Sequence, residues 1–404
     1  MSRLPDFQTS SPKQTKPSNI NVENMSKAQR PISIIGAGIA GLSLAQCLRS
    51  RGIPAIVYDK HTGLKRHDYG MILQRKTYKP LLKHLEISER LFCERLSVLE
   101  QSSSTSTTNL RANRWALEEV LREGLDIRWR HAVKFVTPSG RGGEEVLLFF
   151  ENNECVEARC VVAADGVHST LRGLVLPGEK LEVLPYVVFN GRRRLQWVKG
   201  DDSGLDAVFK KVEGVTQHVG SARSTRVNLA AAGNKGEDVN VSYTLSRLAA
   251  GPEDQALLER SADKAQEKSS EFLKEIDGLG PLPNAIAGVR KLKDRQKGPL
   301  IHWLMRLYLI EAQALTRIAE EGRITFLGDA AHTFPILGGQ GANAAITDAI
   351  RLAEHISPDG QSLDHDSFYK ARYGEWERLR DEARTALAEL HSNGRPAHTQ
   401  KASL

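Results

Sequence analysis

Gly36-Ala37-Gly38-Ile39-Ala40-Gly41 places three residues without side chains where a backbone must turn, meet a phosphate and pack a helix on a strand. Gly36 permits the turn, Gly38 leaves room for a pyrophosphate, and Gly41 brings helix and strand together. The free amides and positive dipole of the helix start stabilise the anion. Asp59, 18 residues beyond Gly41, ends the next strand and is placed to accept hydrogen bonds from a ribose diol. A glycine turn packed for structure alone would show the same glycines, but it would not require the acid.

The pattern does not say which dinucleotide, and two later strings bear on that. Ala164-Asp165-Gly166-Val167-His168-Ser169, with Arg172 three further on, follows a short apolar run and taken alone reads first as a strand-ending turn. Gly328 to Asn343 reads Gly-Asp-Ala-Ala-His-Thr-Phe-Pro-Ile-Leu-Gly-Gly-Gln-Gly-Ala-Asn. Asp329 is placed there to accept from the ribityl hydroxyls of a flavin, and Gly338, Gly339 and Gly341 leave amides bare before a helix from Ala342. That positive helix end favours negative charge at the N1–C2 edge of a reduced isoalloxazine. A glycine turn before an ordinary helix does not explain why the whole string occurs together.

The elements that must position these strings follow from periodicity. Ile32 to Ile35 is a buried-strand run, Ile39 to Arg51 has helical spacing, and Ala55 to Asp59 is a second strand, which completes a strand, turn, helix, strand unit. An extended piece and helical spacing around Leu81 and Leu85 come next, then a Ser/Thr loop over Gln101 to Asn109. A helix over Arg114 to Leu121 precedes a strand pair, Asp126 to Val136 and Val146 to Phe150, joined by the Gly-rich stretch Ser139 to Gly143. Cys160 to Ala164 and Arg323 to Leu327 are further buried strands. From Leu184 to Tyr243 alternating runs without helices predict a separate antiparallel layer. Pro252 to Ile276 is charged and helical, Leu300 to Ile310 is apolar, and Ala342 to Ile356 is a helix. The domain expectation is a disordered leader over 1–30, a dinucleotide-binding part over 31–183 and a substrate layer over 184–310. The second dinucleotide-binding part with C-terminal helices covers 311–390, and a tail covers 391–404.

A chain of 404 residues can bury a sizeable core, and 40% hydrophobic with 26% charged residues is ordinary for a globular protein. The net charge of +7 is spread along the chain, and its densest cluster, Arg192-Arg193-Arg194, is too short for a nucleic-acid tract, so no nucleic-acid partner is expected. Cys47, Cys93, Cys155 and Cys160 match no redox or zinc spacing and read as reduced, buried thiols of a cytoplasmic protein; no metal is expected. No run of apolar residues reaches membrane-spanning length, so no stable membrane insertion is expected.

Together the three strings resemble those of the class A FAD-dependent monooxygenases, the para-hydroxybenzoate hydroxylase superfamily, over residues 31 to about 380. His302-Trp303-Leu304-Met305-Arg306 and Ile336-Leu337-Gly338-Gly339 are similar to the fungal branch acting in secondary metabolism. The resemblance implies an α/β fold: a Rossmann-like FAD-binding domain with a mixed or antiparallel substrate sheet. It implies that Gly36, Gly38 and Gly41 hold the pyrophosphate of a non-covalent FAD and Asp59 the adenosine ribose. Most relatives have Glu at that position, so Asp59 reaches one methylene less. Lys60 takes the place of a basic residue beside the adenosine, Gly70 lies in the loop that passes the ribityl chain, and Arg114 reaches the ribityl and phosphate region. Asp165 belongs to a motif implicated in FAD and NADPH pyrophosphate binding. Asp329 binds ribityl, Pro335 lies near the reactive C4a position, and Gly341, Ala342 and Asn343 face the pyrimidine edge.

The implied reaction is NADPH reduction of FAD, then O2 addition to give a C4a-hydroperoxide whose terminal oxygen passes to an apolar or aromatic small molecule by hydroxylation or epoxidation. No second Gly-rich fold serves NADPH: Asp277-Gly278-Leu279-Gly280 runs into Pro281 and Pro283 with no helix. Arg192, near where some relatives place a functional arginine, joins His218, Tyr243 and His302 as polar residues of the substrate layer. A lone His or Tyr there is more often a satisfied structural residue. The alternatives are a flavin-dependent reductase, oxidase or halogenase, and a non-catalytic carrier or regulatory protein that has lost flavin. The halogenase segment Trp-x-Trp-x-Ile-Pro is absent, and the complete Gly328 to Asn343 string argues against the carrier.

Overall fold

The structure is a computed structural model that describes residues 30–65, 69–98, 109–139, 145–196, 215–219, 226–232, 238–259 and 300–392. The leader to residue 29, most of the Ser/Thr loop, the stretch 140–144, the charged segment beyond 259, Asp277 to Gly280 and the tail from 393 lie outside the described residues.

Ile32–Ile35 is the middle strand of a five-stranded parallel sheet in the order Ile324–Phe326, Val161–Ala163, Ile32–Ile35, Ala55–Asp59, Ile127–Trp129. Every residue of the first three of these strands is buried, as expected for strands covered on both faces. The helix Ile39–Arg49 is buried on almost all sides, from Ile39 through Leu48, because it packs against the helix Gly341–Glu354 as well as the strands around it. Parallel pairing has one consequence for chemistry: Gly36, Asp59, Trp129, Asp165 and Gly328 all emerge at the carboxyl ends of neighbouring strands. Ligands of open parallel sheets bind along that edge.

The predicted strand Asp126 to Val136 is in fact two. Ile127–Trp129 joins the parallel sheet beside Ala55–Asp59, whereas Val133–Ser139 pairs antiparallel with Glu145–Phe150, which pairs in turn with Cys155–Ala158. Arg130 makes the break in a left-handed conformation, φ 63°, and the following His131 amide donates to the Asp59 carbonyl at 2.9 Å. The described end of the Ser/Thr loop is also a strand, Asn109–Asn113, which pairs with Gly70–Gln74. Of the four cysteines only Cys47 is fully buried; Cys155 is exposed at a strand start, which corrects the expectation of four buried thiols. Among the described residues no helix is long and apolar enough to cross a membrane.

The second large sheet is antiparallel, in the order Val215–Val219, Arg226–Ala232, Asp238–Leu248, Glu182–Gln196, Leu300–Leu309, His332–Thr333. Its last strand lies inside the Gly328 to Asn343 string, with Thr333 opposite Tyr308 and His332 opposite Leu309. One string therefore leaves the parallel sheet after Phe326 and enters the antiparallel sheet at His332, so it joins the two layers. The helix His365–His391 braces the junction from behind. Its buried residues Phe368, Tyr369, Arg372, Trp376, Leu379, Ala383 and Leu387 recur at helical spacing. Phe368, Tyr369 and Trp376 pack into the core of the parallel sheet, whereas Leu379 and Leu387 pack with Tyr186, Val188 and Met305 of the antiparallel sheet.

Candidate active site

A cavity of about 600 Å³ runs along the strand ends and reaches the antiparallel sheet at Ile301 to Leu304. Three glycines shape its phosphate end in different ways. Gly36 has φ 111°, and a Cβ on it would stand 2.3 Å from the Ala164 carbonyl oxygen; a Cβ on Gly41 would stand 2.0 Å from the Gly36 carbonyl oxygen. Both positions exclude any side chain because backbone already fills the space. A Cβ on Gly38 would meet no atom within 4 Å, so this residue leaves open the space at the helix start where an anion is stabilised.

Asp59 lines the cavity and also ties its floor. Oδ2 accepts from the Ala37 amide at 2.7 Å and Oδ1 from the His61 amide at 2.8 Å, which leaves each oxygen a further lone pair for a diol. Lys60 is exposed at the same rim, and on the sheet side Arg306 approaches His168 at 3.4 Å between Nη1 and Nε2. Burial, with Arg306 and Lys60 nearby, lowers the pKa of His168, which keeps it neutral and able to accept that bond.

Asp165 ends its strand and caps the helix Thr170–Val175: Oδ2 accepts from the Thr170 and Leu171 amides at 2.7 and 3.2 Å. Its Oδ1 is buried in the cavity wall without a partner. An orphaned carboxylate oxygen is costly unless a ligand donor meets it. Arg172 fastens this turn to the Gly328 string, donating to Val167 O at 2.5 Å and to Ala330 O at 2.9 Å. Arg114 lines the cavity between the two, held by Glu118 at 3.0 Å and by the Tyr69 hydroxyl.

Asp329 lies in the wall beyond Arg114, with Oδ1 3.5 Å from where a Cβ on Gly341 would stand. Burial pushes the carboxyls of both Asp165 and Asp329 above their ordinary range. Beyond Asp329 the wall becomes apolar: Trp303, Leu304, Phe334 and Ile336, the last 55% exposed, with Thr333 and His302 among them. His302 is buried with its ring 5.1 Å from Phe189. Pro335 is buried between Phe334 and Ile336.

Other site residues from the sequence stand away from the cavity wall. Gly41 lies under the phosphate turn. Gly70 packs against the Arg111 side chain, 2.8 Å from where a Cβ would be. Gly341 and Ala342 begin the helix Gly341–Glu354, and the Asn343 side chain is used internally: Oδ1 accepts from Gln74 N at 2.9 Å and Nδ2 donates to Ile72 O at 3.0 Å. That leaves the backbone, not the amide side chain, of this helix start for a ligand. Arg192 sits on the strand Glu182–Gln196 opposite Ser242; its side chain, like those of His218 and Tyr243, lies outside the described residues.

Periodicity alone missed Asp348. It sits on the apolar face of the helix Gly341–Glu354, fully buried among Ile346, Ala349 and Leu352, and bonded to His332, Arg372, Trp376 and the Gly328 amide. Burial opposes its ionisation, but His332 and Arg372 with the Trp376 bond outweigh that and hold its carboxyl below the usual range. A charged residue on an otherwise apolar stripe was the signal that could have found it.

These residues fit a flavin dinucleotide. The bare helix start, the open space at Gly38, the Asp59 carboxylate and the orphaned Asp165 oxygen follow one another along a single cavity whose far end meets a second sheet. That arrangement is the one expected of a flavoprotein of the para-hydroxybenzoate hydroxylase fold. The model of the FAD binding domain family matches residues 29–238 and 294–359, well over half the chain, and the chain belongs to that family. The FAD-dependent monooxygenase nscC of Trichophyton tonsurans is 29% identical over 412 residues, covering 92% of this chain and 97% of that one. Among solved structures, 2,6-dihydroxypyridine-3-hydroxylase from Arthrobacter nicotinovorans superposes with a TM-score of 0.69 at 17% identity, covering 93% of this chain and 96% of that one. The structure of CtdE in complex with FAD and substrate gives 0.68 at 17% identity, with 91% and 94% covered. The chain takes its place among the class A FAD-dependent monooxygenases, as its motifs imply.

Proposed function

We propose that this enzyme inserts one oxygen atom from O2 into an apolar or aromatic small molecule, with NADPH as the electron donor, and that it serves secondary metabolism in the cytoplasm. The single observation that carries the reading is the continuity of the cavity. It passes from the phosphate turn at Gly38 to an apolar end at Trp303, Phe334 and Ile336, so cofactor and substrate share one enclosure.

Bound FAD would relay the electrons of NADPH and supply the oxygen activation; the protein supplies position and dryness. Gly36 and Gly38 seat the pyrophosphate on the helix start, Asp59 takes the adenosine ribose, and Asp329 with Arg114 takes the ribityl chain. The backbone amides that open the helix Gly341–Glu354, set back from the cavity wall, would serve the pyrimidine edge through their dipole, which favours negative charge there. Phe334, Pro335, Ile336 and Trp303 exclude water from the reacting end, which protects the activated oxygen from escape as hydrogen peroxide. Lys60, His168 and Arg306 line the polar rim, and the charges of Lys60 and Arg306 suit the phosphates of NADPH.

The test is NADPH consumption by the purified holoenzyme against a panel of aromatic and terpenoid scaffolds, with hydrogen peroxide followed in parallel. A substrate stimulates oxidation and suppresses peroxide. A colourless protein that rejects added FAD would overturn the enzyme reading in favour of a carrier, and oxidation that yields peroxide with every scaffold would favour an oxidase.

A further inference from the structure

Four donors from three elements converge on one carboxylate. Oδ2 of Asp348 accepts from the Gly328 amide at 3.1 Å and from His332 Nε2 at 2.6 Å; Oδ1 accepts from Arg372 Nε and Trp376 Nε1, both at 2.9 Å. Asp348 and His332 are each 0% exposed. A buried carboxylate is expensive unless it is paired and fully bonded, and an apolar residue of similar size would fill the same space at less cost. The shape of the helix therefore does not explain why a charge is kept there.

What the charge holds does explain it. Gly328 and His332 flank Asp329, so the two bonds on Oδ2 span the turn that carries the cavity's flavin-side carboxylate. That turn is tight: Gly328 has φ 58°, and a Cβ on it would stand 2.8 Å from the Cβ of Ala40. Thr333 adds a bond from Oγ1 to the Asp329 carbonyl at 3.0 Å, and His332 is packed between Phe334 and Trp376, with ring centroids 4.8 and 4.7 Å away. Arg372 and Trp376 belong to the C-terminal helix, whose later residues Leu379 and Leu387 pack on the antiparallel sheet. By contrast, none of the hydrogen bonds to Asp348 comes from Gly36 to Gly41 or from Asp59.

We propose that Asp348 is the positioning residue for the flavin half of the cofactor. It sets the Gly328 to His332 turn so that Asp329 faces the ribityl chain, and it fastens that turn to the C-terminal helix and through it to the substrate sheet. The role rests on the assignment of Asp329 to the ribityl chain. It acts on one half of the dinucleotide only, which distinguishes it from a general contribution to stability.

The experiment is titration of the full-length apoprotein with FAD and, separately, with ADP, which probes the adenosine and phosphate half alone. Asp348→Asn and His332→Leu weaken FAD by about tenfold or more, the scale of a lost bond to a charged group, and leave ADP within about twofold. His332→Gln returns an amide donor near the place of Nε2 and restores most of the FAD affinity. If Asp348→Asn does not fold, the His332 pair decides the matter. The proposal is overturned if FAD and ADP weaken together, if neither His332→Leu nor Asp348→Asn changes FAD binding, or if His332→Gln is as weak as His332→Leu. Asp329→Asn separates the two layers of the argument. If it leaves FAD affinity unchanged, the ribityl assignment fails; if it weakens FAD while the Asp348 and His332 variants do not, the positioning role fails.

Discussion

Arg172 donates from Nη1 to the Ala330 carbonyl at 2.9 Å, joining residues 158 positions apart in the chain. The same guanidinium bonds Val167 O, so one buried cation spans the turn after Val161–Ala163 and the turn after Ile324–Phe326. The two strands are neighbours in register, Phe326 opposite Ala163, which brings their turns within reach of a single side chain. The two loops at this end of the cavity are thus tied together by one side chain.

Removal of that clamp tests the point. Arg172→Met leaves the Val167 and Ala330 carbonyls without this donor and lowers stability by roughly 2–4 kcal/mol, read as a fall in apoprotein Tm together with weaker FAD binding. Arg172→Lys recovers little, because a single ammonium cannot serve both turns as the guanidinium fork does. A lysine variant with wild-type Tm would refute the clamp.

Gly36 and Gly38 are expected to part company. Gly36→Ala forces a side chain onto the Ala164 backbone at a positive φ and is expected to prevent normal folding. Gly38→Ala enters open space, so the apoprotein Tm stays within about 2 °C while FAD affinity falls about tenfold or more. Calorimetry and flavin titration of the two variants distinguish a residue needed by the fold from one needed by the ligand.

The sequence made the cradle legible because steric demand writes itself as glycine and because the parallel strands Ile32–Ile35 and Ala55–Asp59 are short, apolar and local. The joining of the three strings was legible only as an inference from a shared cofactor; the structure supplies its cause in the pairing order of the sheet. Trp129 was lost inside one long predicted strand, because the left-handed break at Arg130 leaves no mark in hydrophobic alternation. Asp348 was not legible because its partners lie 16 to 28 residues away on three elements. The side chain of Asn343 bonds Ile72 and Gln74, on a strand that no local signal ties to it, and its backbone is left for a ligand.

Burial raises the carboxyl pKa of Asp165 and Asp329, which fixes the sign of a pH effect. An acid whose folded pKa exceeds its unfolded one binds protons more tightly when folded, so stability falls as pH rises from about 4 through the raised value. Asp165→Asn keeps an oxygen for the Thr170 and Leu171 amides and removes the buried charge. Its apoprotein is therefore expected to melt a few degrees higher, roughly, than wild type at pH 7 and to lose part of the fall with pH, while binding FAD less tightly. Thermal scans across pH 4 to 8 decide this; an unchanged or lower Tm at pH 7 would count against a destabilising buried charge.

The last prediction concerns the rim. Arg306 projects from the strand Leu300–Leu309 toward His168, and Lys60 approaches from the parallel sheet, so cations from two layers face the same mouth. If NADPH docks there, Arg306→Ala raises its KM about tenfold, the scale of one charge-assisted contact, and leaves the reduction rate at saturation within about threefold. Added salt raises the wild-type KM more steeply than that of the variant, because exposed charges are screened. Stopped-flow reduction of the flavin separates the two quantities. A variant with unchanged KM but slowed reduction would move Arg306 from docking the donor to orienting it.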